Sequence, residues 1–299
     1  NTEYDPDVNL SAFNNGVVDI NTFDFYEYND PFLDDKIITN RIPTNWNQYT
    51  KQTYMARFIK DIANNDEDIE TMIYEMIGSC FYKRNELRKS LIIVGGKNNG
   101  KSTLIDTLRK LFGRSNVSSL GLDDLNERFR VQAVAGKIVN LGDDIEGNYI
   151  LSTGNFKRLV TGNTVIAENK GVDIFEFESY AKFIFSANTL PRVKDETGAM
   201  LNRITIIPFT VDFSEREGGA DHKLIDKLTK PNELEWLAVR SINAFKNVLE
   251  RREFTTTEAV KNLIVEYDEY NNPIRKFIRN MGVEYFFKYN TNIIYDVYC

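Results

Sequence analysis

Histidine and cysteine are nearly missing from this chain of 299 residues, which has one His, His222, and two Cys, Cys80 and Cys299. Two cysteines so far apart build neither a disulfide framework nor a zinc site, and a single His excludes chemistry that needs a histidine pair. A reduced, cytoplasmic protein is expected, inside a host cell if the chain serves a mobile element. Long hydrophobic runs are also missing. No stretch approaches the ~18 apolar residues of a membrane span, so no membrane partner is expected. Lys and Arg are absent from the first 35 residues, so no secretory signal is expected there. The chain begins at Asn1 rather than Met, and a piece of a longer protein is expected.

Basic charge is short overall, with a net of -7, but its distribution matters more than its total. Residues 1–35 hold seven Asp and two Glu and carry -9, so residues 36–299 carry +2. An acidic head can be a solvated face, or a surface that keeps nucleic acid off the outside. Acidity therefore does not exclude DNA as a partner.

Periodicity divides the chain into three parts. Residues 1–89 read as β-rich over 1–50, where Asn14-Asn15-Gly16 and Asp30-Pro31 mark turns, and helical over 51–89. There Met55, Phe58, Ile59 and Ile62 share one helical face, and Ile69, Met72, Ile73, Met76 and Cys80 share another. Residues 90–213 alternate short apolar strands with helices, the rhythm of an α/β layer. Residues 214–299 are helical again, with Ala238, Ile242, Phe245 and Leu249 on one face.

What is present is a phosphate-binding loop. Gly95-Gly96-Lys97-Asn98-Asn99-Gly100-Lys101-Ser102 matches G-x-x-x-x-G-K-[ST] in full, and Thr103 follows it. Leu91-Ile92-Ile93-Val94 before it reads as a buried strand, and the residues from Lys101 to Leu111 as an amphipathic helix that Gly113 ends. Glycines let backbone N–H groups curl round phosphates, and the helix N-terminus adds partial positive charge. Lys101 is expected on the β- and γ-phosphates of ATP and Ser102 on Mg²⁺.

Hydrolysis needs acids near that metal. Lys137-Ile138-Val139-Asn140-Leu141 reads as a strand ending at Gly142-Asp143-Asp144, where one carboxylate can direct magnesium and the other can polarise the attacking water. Which Asp does which is left open. A further strand, Lys182-Phe183-Ile184-Phe185-Ser186, ends near Asn188, an amide suited to sensing the γ-phosphate. Arg203 heads another apolar run and can stabilise transition-state charge at a neighbouring subunit's site. Two β-type runs flank Asn169-Lys170-Gly171 and read as a hairpin with Lys170 and Gly171 at a tip that touches DNA phosphates. Lys157, on the preceding helical segment, is a further DNA candidate.

The order of these features resembles the superfamily 3 helicases, and within them the phage and plasmid P4-type primase–helicases related to the poxvirus D5 protein. The likeness is carried by Asn14 to Asp19, Gly95 to Thr103, Gly136 to Asp144, Phe156 to Gly162, Phe185 to Pro191, and Asn202-Arg203 before Pro208-Phe209. It spans about residues 10–280 and is densest over 90–213. The resemblance implies an AAA+-like P-loop NTPase core with a parallel central sheet, flanked by an N-terminal α+β region and C-terminal helices. It also implies a homo-hexameric ring around single-stranded or forked DNA, with ATP and Mg²⁺ held between subunits. Lys101, Ser102, Asp143, Asp144 and Asn188 become ATP-site residues and Arg203 a trans arginine finger. Asn202 stands where relatives commonly have a second arginine. A primase domain or partner upstream, and a C-terminal module cut short near Cys299, fit the same pattern. Two other readings of the loop compete: a nucleotide-switch loader at a replication origin, and a small-molecule kinase, for which no arginine-rich lid is found.

Overall fold

Leu91, Ile92 and Ile93 point to alternate faces of one sheet, and both faces are buried. A strand buried on both sides reads as an unbroken apolar run, the mark of a parallel sheet covered by helices. The computed structural model describes residues 7–145, 152–168, 174–194, 198–215, 221 and 223–298. Within them the chain opens with β1 (Leu10–Phe13), β2 (Gly16–Asp19) and β3 (Phe25–Tyr26), followed by α1 (Met55–Ile62) and α2 (Glu67–Ser79). The central layer comprises β4 (Ser90–Val94), α3 (Lys101–Phe112), β5 (Val117–Ser118), β6 (Val139–Gly142), α4 (Gly154–Thr161), the hairpin β7 (Val165–Ala167) and β8 (Phe175–Phe177), β9 (Lys182–Ala187) and β10 (Ile204–Pro208). Helices complete the chain: α5 (Leu224–Leu228), α6 (Pro231–Arg251), α7 (Glu258–Asn271), α8 (Pro273–Met281), α9 (Val283–Lys288) and α10 (Thr291–Tyr298).

The five-stranded sheet has the order β10-β4-β9-β6-β5, and every neighbouring pair is parallel. Parallel register brings the carboxyl ends of β4, β6 and β9 together, with Val94 beside Ala187 and Gly142 beside Phe185. Whatever follows those three strands meets at one edge. This is why loops distant in sequence converge there.

One face of the sheet packs Leu91, Ile93, Leu141, Ile184 and Ile207 against α1, α2, α3 and α6. The other packs Ile92, Phe183, Phe185 and Ile206 against Phe156 and Leu159 of α4, the hairpin and Tyr267 of α7. The first cluster also takes in Phe13 and Trp46, so the N-terminal region, the central sheet and α6 share one apolar core. The N-terminal strands stop at Tyr26, earlier than the turn pattern over residues 1–50 implies. Between them and α1 side chains help to hold the backbone: Asn15 donates to Trp46 O (3.0 Å) and accepts from Trp46 N–H (2.7 Å).

Helix α1 lacks a capping side chain at its own N-cap. The fully buried carboxylate of Glu233, from α6, instead accepts from the N–H groups of Thr53 (2.7 Å), Tyr54 (3.1 Å) and Met55 (2.8 Å). The placement matters for the loop after β4. A Cβ at Gly100 would lie 2.8 Å from Ile62 Cγ2 and 3.5 Å from Phe58 Cε2, so α1 backs directly onto that loop.

Candidate nucleotide site

The loop between β4 and α3 is shaped by backbone requirements. Gly100 has φ +86° and Asn98 φ +57°, left-handed values that Gly adopts without strain and Asn tolerates. A Cβ at Gly95 would fall 2.2 Å from both Asn99 Nδ2 and Phe209 O, whereas one at Gly96 would meet nothing within 4 Å. The loop is thus tight on the side of β10 and open at Gly96. Lys97, Asn98 and Ser102 are exposed, Thr103 is half-buried, and Lys101 is buried at 7 % exposure. The Lys101 ammonium donates to Gly95 O (2.7 Å), Gly96 O (2.6 Å) and Asn99 Oδ1 (3.1 Å). Asn99 in turn donates to Phe209 O (3.0 Å), which ties the loop to the end of β10. Burial pushes the Lys101 ammonium down from its ordinary value, and the carboxylates of Asp144 and Asp143 act in the opposite direction.

The two acids follow β6, beside the end of β9. Asp143 is half-buried and accepts from Ser186 Oγ–H (2.6 Å); the Asp144 N–H donates to the same Oγ (2.9 Å). Asp144, at φ +48°, is exposed and accepts from Asn188 Nδ2 (3.0 Å). Lys101, Asp143, Asp144 and Asn188, spread over 88 positions of sequence, therefore form one group at the carboxyl edge of the sheet. Its donor set suits a magnesium-bound nucleotide: an ammonium, backbone N–H groups, a hydroxyl at Ser102 and two carboxylates. Among the described residues, no cluster of three or more His, Cys, Asp or Glu side chains could hold a metal. Magnesium commonly takes one or two carboxylates plus phosphate and water, so this chemistry fits.

Arg203 lies elsewhere. It precedes β10, whose first residue pairs with Ser90, so it stands roughly 16 Å along the sheet from the loop at about 3.3 Å per residue. Arg203 Nη1 donates to Ala199 O (2.6 Å), and its Nε is buried without a hydrogen-bond partner among the described residues. It does not join its own chain's site. Lys157 is half-buried in α4 and already engaged.

The hairpin strands β7 and β8 pair antiparallel, Val165 with Phe177 and Ala167 with Phe175, while Lys170 and Gly171 lie outside the described residues. Directly after β7, Glu168 forms an ion pair with Arg128. Phe129, 44 % exposed, stands between Arg128 and Arg130. Sequence reasoning passed over this segment, although an aromatic between two arginines is a signal that could have found it. It also missed Ser186, readable only as a lone hydroxyl inside an apolar strand, two residues before Asn188.

A family of unknown function (DUF5906) matches residues 93–203, the stretch from the end of β4 to Arg203. Two viral proteins are similar: "Putative helicase 184R" of Invertebrate iridescent virus 6, 27 % identical over 237 residues, and "Putative helicase 121R" of Invertebrate iridescent virus 3, 24 % over 220 residues. The matched parts cover 72 % and 70 % of this chain but only 23 % of either relative, so the chain spans under a quarter of their length. Among solved structures, the apo A form of the NrS-1 C-terminal region has a TM-score of 0.59 at 16 % identity, covering 82 % of this chain and 60 % of that one. An apo structure of NrS-1 residues 305–718 has a TM-score of 0.51 at 15 % identity, covering 72 % and 56 %. At such identities the likeness to NrS-1 is one of fold. No helix among the described residues is long and apolar enough to cross a membrane.

Proposed function

We propose that this chain is the motor part of an ATP-dependent DNA helicase or translocase of a viral or mobile-element replication complex, working as a homo-hexameric ring. The observation that carries the reading is the meeting of Lys101, Asp143, Asp144 and Asn188 at the ends of three adjacent parallel strands. The strand order supports an AAA+-like core. Numbered along the chain, the five parallel strands run 5-1-4-3-2, with the phosphate loop after the first, the acids after the third and the amide after the fourth. The viral relatives named as helicases point the same way.

In this reading Lys101 leaves the carbonyls of Gly95 and Gly96 for the β- and γ-phosphates of ATP, while backbone N–H groups of the loop cradle them. Bound Mg²⁺ supplies charge neutralisation on the phosphate oxygens, and Ser102, Asp143 and Asp144 are the residues that would hold it. Asp144 and Asn188, already hydrogen-bonded, orient the attacking water. Arg203, far from its own loop, serves the site of the neighbouring subunit. Lys170 and Gly171, in the segment between β7 and β8, and Phe129 with its flanking arginines, beside the end of β7, would serve single-stranded DNA through phosphate contacts and stacking.

The test is ATPase activity with and without single-stranded DNA. Wild type is expected to turn over ATP faster with DNA, and Lys101→Ala to lose at least about a hundredfold in rate at unchanged fold. ATP binding with negligible turnover, DNA or none, would favour a nucleotide switch instead.

A further inference from the structure

The two acids of the site are held by two different side chains of the same strand region. Residues two apart in extended backbone project to the same side, and Ser186 and Asn188 are so spaced. Asn188 takes Asp144 (3.0 Å) and Ser186 takes Asp143 (2.6 Å). The direction of each bond is fixed by chemistry. An ionised carboxylate only accepts, so the single proton of Ser186 Oγ points at Asp143, and its lone pair receives the Asp144 N–H (2.9 Å). Ser186 also accepts through its backbone carbonyl from Ile145 N–H (2.8 Å). Ser186 is buried at 1 % exposure, which holds its end of these bonds in place.

We propose that Ser186 is a positioning residue for the magnesium site: it holds one Asp143 oxygen and the Asp144 backbone, and so fixes the carboxylate that meets the metal's ligand sphere. This inference rests on the nucleotide-site reading above. The Ser186 hydroxyl takes one acceptor position of Asp143 Oδ1, and the remaining positions of the carboxylate are those that could meet the metal or its water. Without the hydroxyl, the Asp143 carboxylate can rotate, and the Asp144 amide loses the acceptor that holds its left-handed turn. Outer partners of metal-directing carboxylates commonly set metal affinity by 10- to 100-fold.

The experiment is Mn²⁺ binding by electron paramagnetic resonance, with a non-hydrolysable ATP analogue on the full chain, beside nucleotide binding in EDTA. Ser186→Ala is expected to weaken Mn²⁺ about tenfold while leaving metal-free nucleotide affinity within about twofold. Ser186→Thr, which keeps the hydroxyl, is expected to bind Mn²⁺ as wild type does. In steady state the Ala variant should need correspondingly more Mg²⁺ for half-maximal ATPase. An Ala variant with wild-type Mn²⁺ affinity overturns the proposal. So does an equal loss of nucleotide affinity in EDTA, or a folded Thr variant that fails to recover the metal. A wild-type chain that binds no nucleotide at all defeats the nucleotide-site reading instead, and the two failures are told apart by that control.

Discussion

At the scale of single residues, Lys182 shows how much of this fold hangs on buried polar groups. It opens β9, is buried, and its ammonium donates to the carbonyls of Tyr82 (2.8 Å), Arg84 (2.9 Å) and Tyr180 (3.0 Å). Burial pushes it down from 10.5 to about 7. Between pH 7 and about 10.5 the unfolded chain therefore keeps a proton that the folded chain gives up, and stability gains as pH rises through that window. Below pH 7 both states are protonated and the contribution is flat. Comparing melting temperatures of wild type and Lys182→Met from pH 6 to 9 is expected to show the difference moving in favour of wild type above pH 7; a constant difference would contradict the shift. Nothing in the sequence marks Lys182 as buried, since a Lys at a strand start ordinarily faces water. The loop between β4 and α3 was legible as a turn from strand to helix, because its glycines stand at fixed spacing between an apolar run and an amphipathic one. Ser186 was not, because one hydroxyl in an apolar strand reads as a small packing residue until its neighbours on β6 are known.

At the scale of elements, the helical faces were readable from their period of 3.6, and Met55, Phe58, Ile59 and Ile62 are all buried as the stripe requires. What the period cannot reveal is which distant group finishes a helix. Glu233 caps α1 across 180 positions of sequence, from a fully buried site in α6. Removing it leaves three N–H groups without an acceptor, so Glu233→Ala is expected to cost about 3 kcal/mol in urea unfolding, and Glu233→Gln about half as much. A loss under about 0.5 kcal/mol for Glu233→Ala would mean that the α1 terminus finds other partners. If the loop binds ATP as proposed, α1 backs onto Gly100 and the same variant should also raise the ATP concentration needed for half-maximal ATPase. The hairpin was legible as two β runs, and β7 and β8 pair accordingly.

At the scale of the whole molecule, Arg203 and the phosphate loop occupy opposite ends of the sheet, joined by β10. In the ring reading each chain thereby presents an arginine to one neighbour and a loop to the other. Mixing Arg203→Ala subunits with Lys101→Ala subunits is expected to restore part of the ATPase that each lacks alone, because one interface in the mixture is intact; no recovery at any ratio argues against shared sites. The parallel sheet was legible as alternating strands and helices, but the common core was not, because periodicity speaks of single segments and not of what they press against. Phe13, Met72, Leu108 and Phe245 lie in one apolar cluster drawn from every third of the chain. The five-stranded layer is therefore no interchangeable cassette. A recombination that joined residues 90–213 to foreign flanks would bare the side of the sheet that α1, α2 and α6 now cover, so inherited breakpoints should spare this stretch and the flanks should descend together with the sheet they enclose.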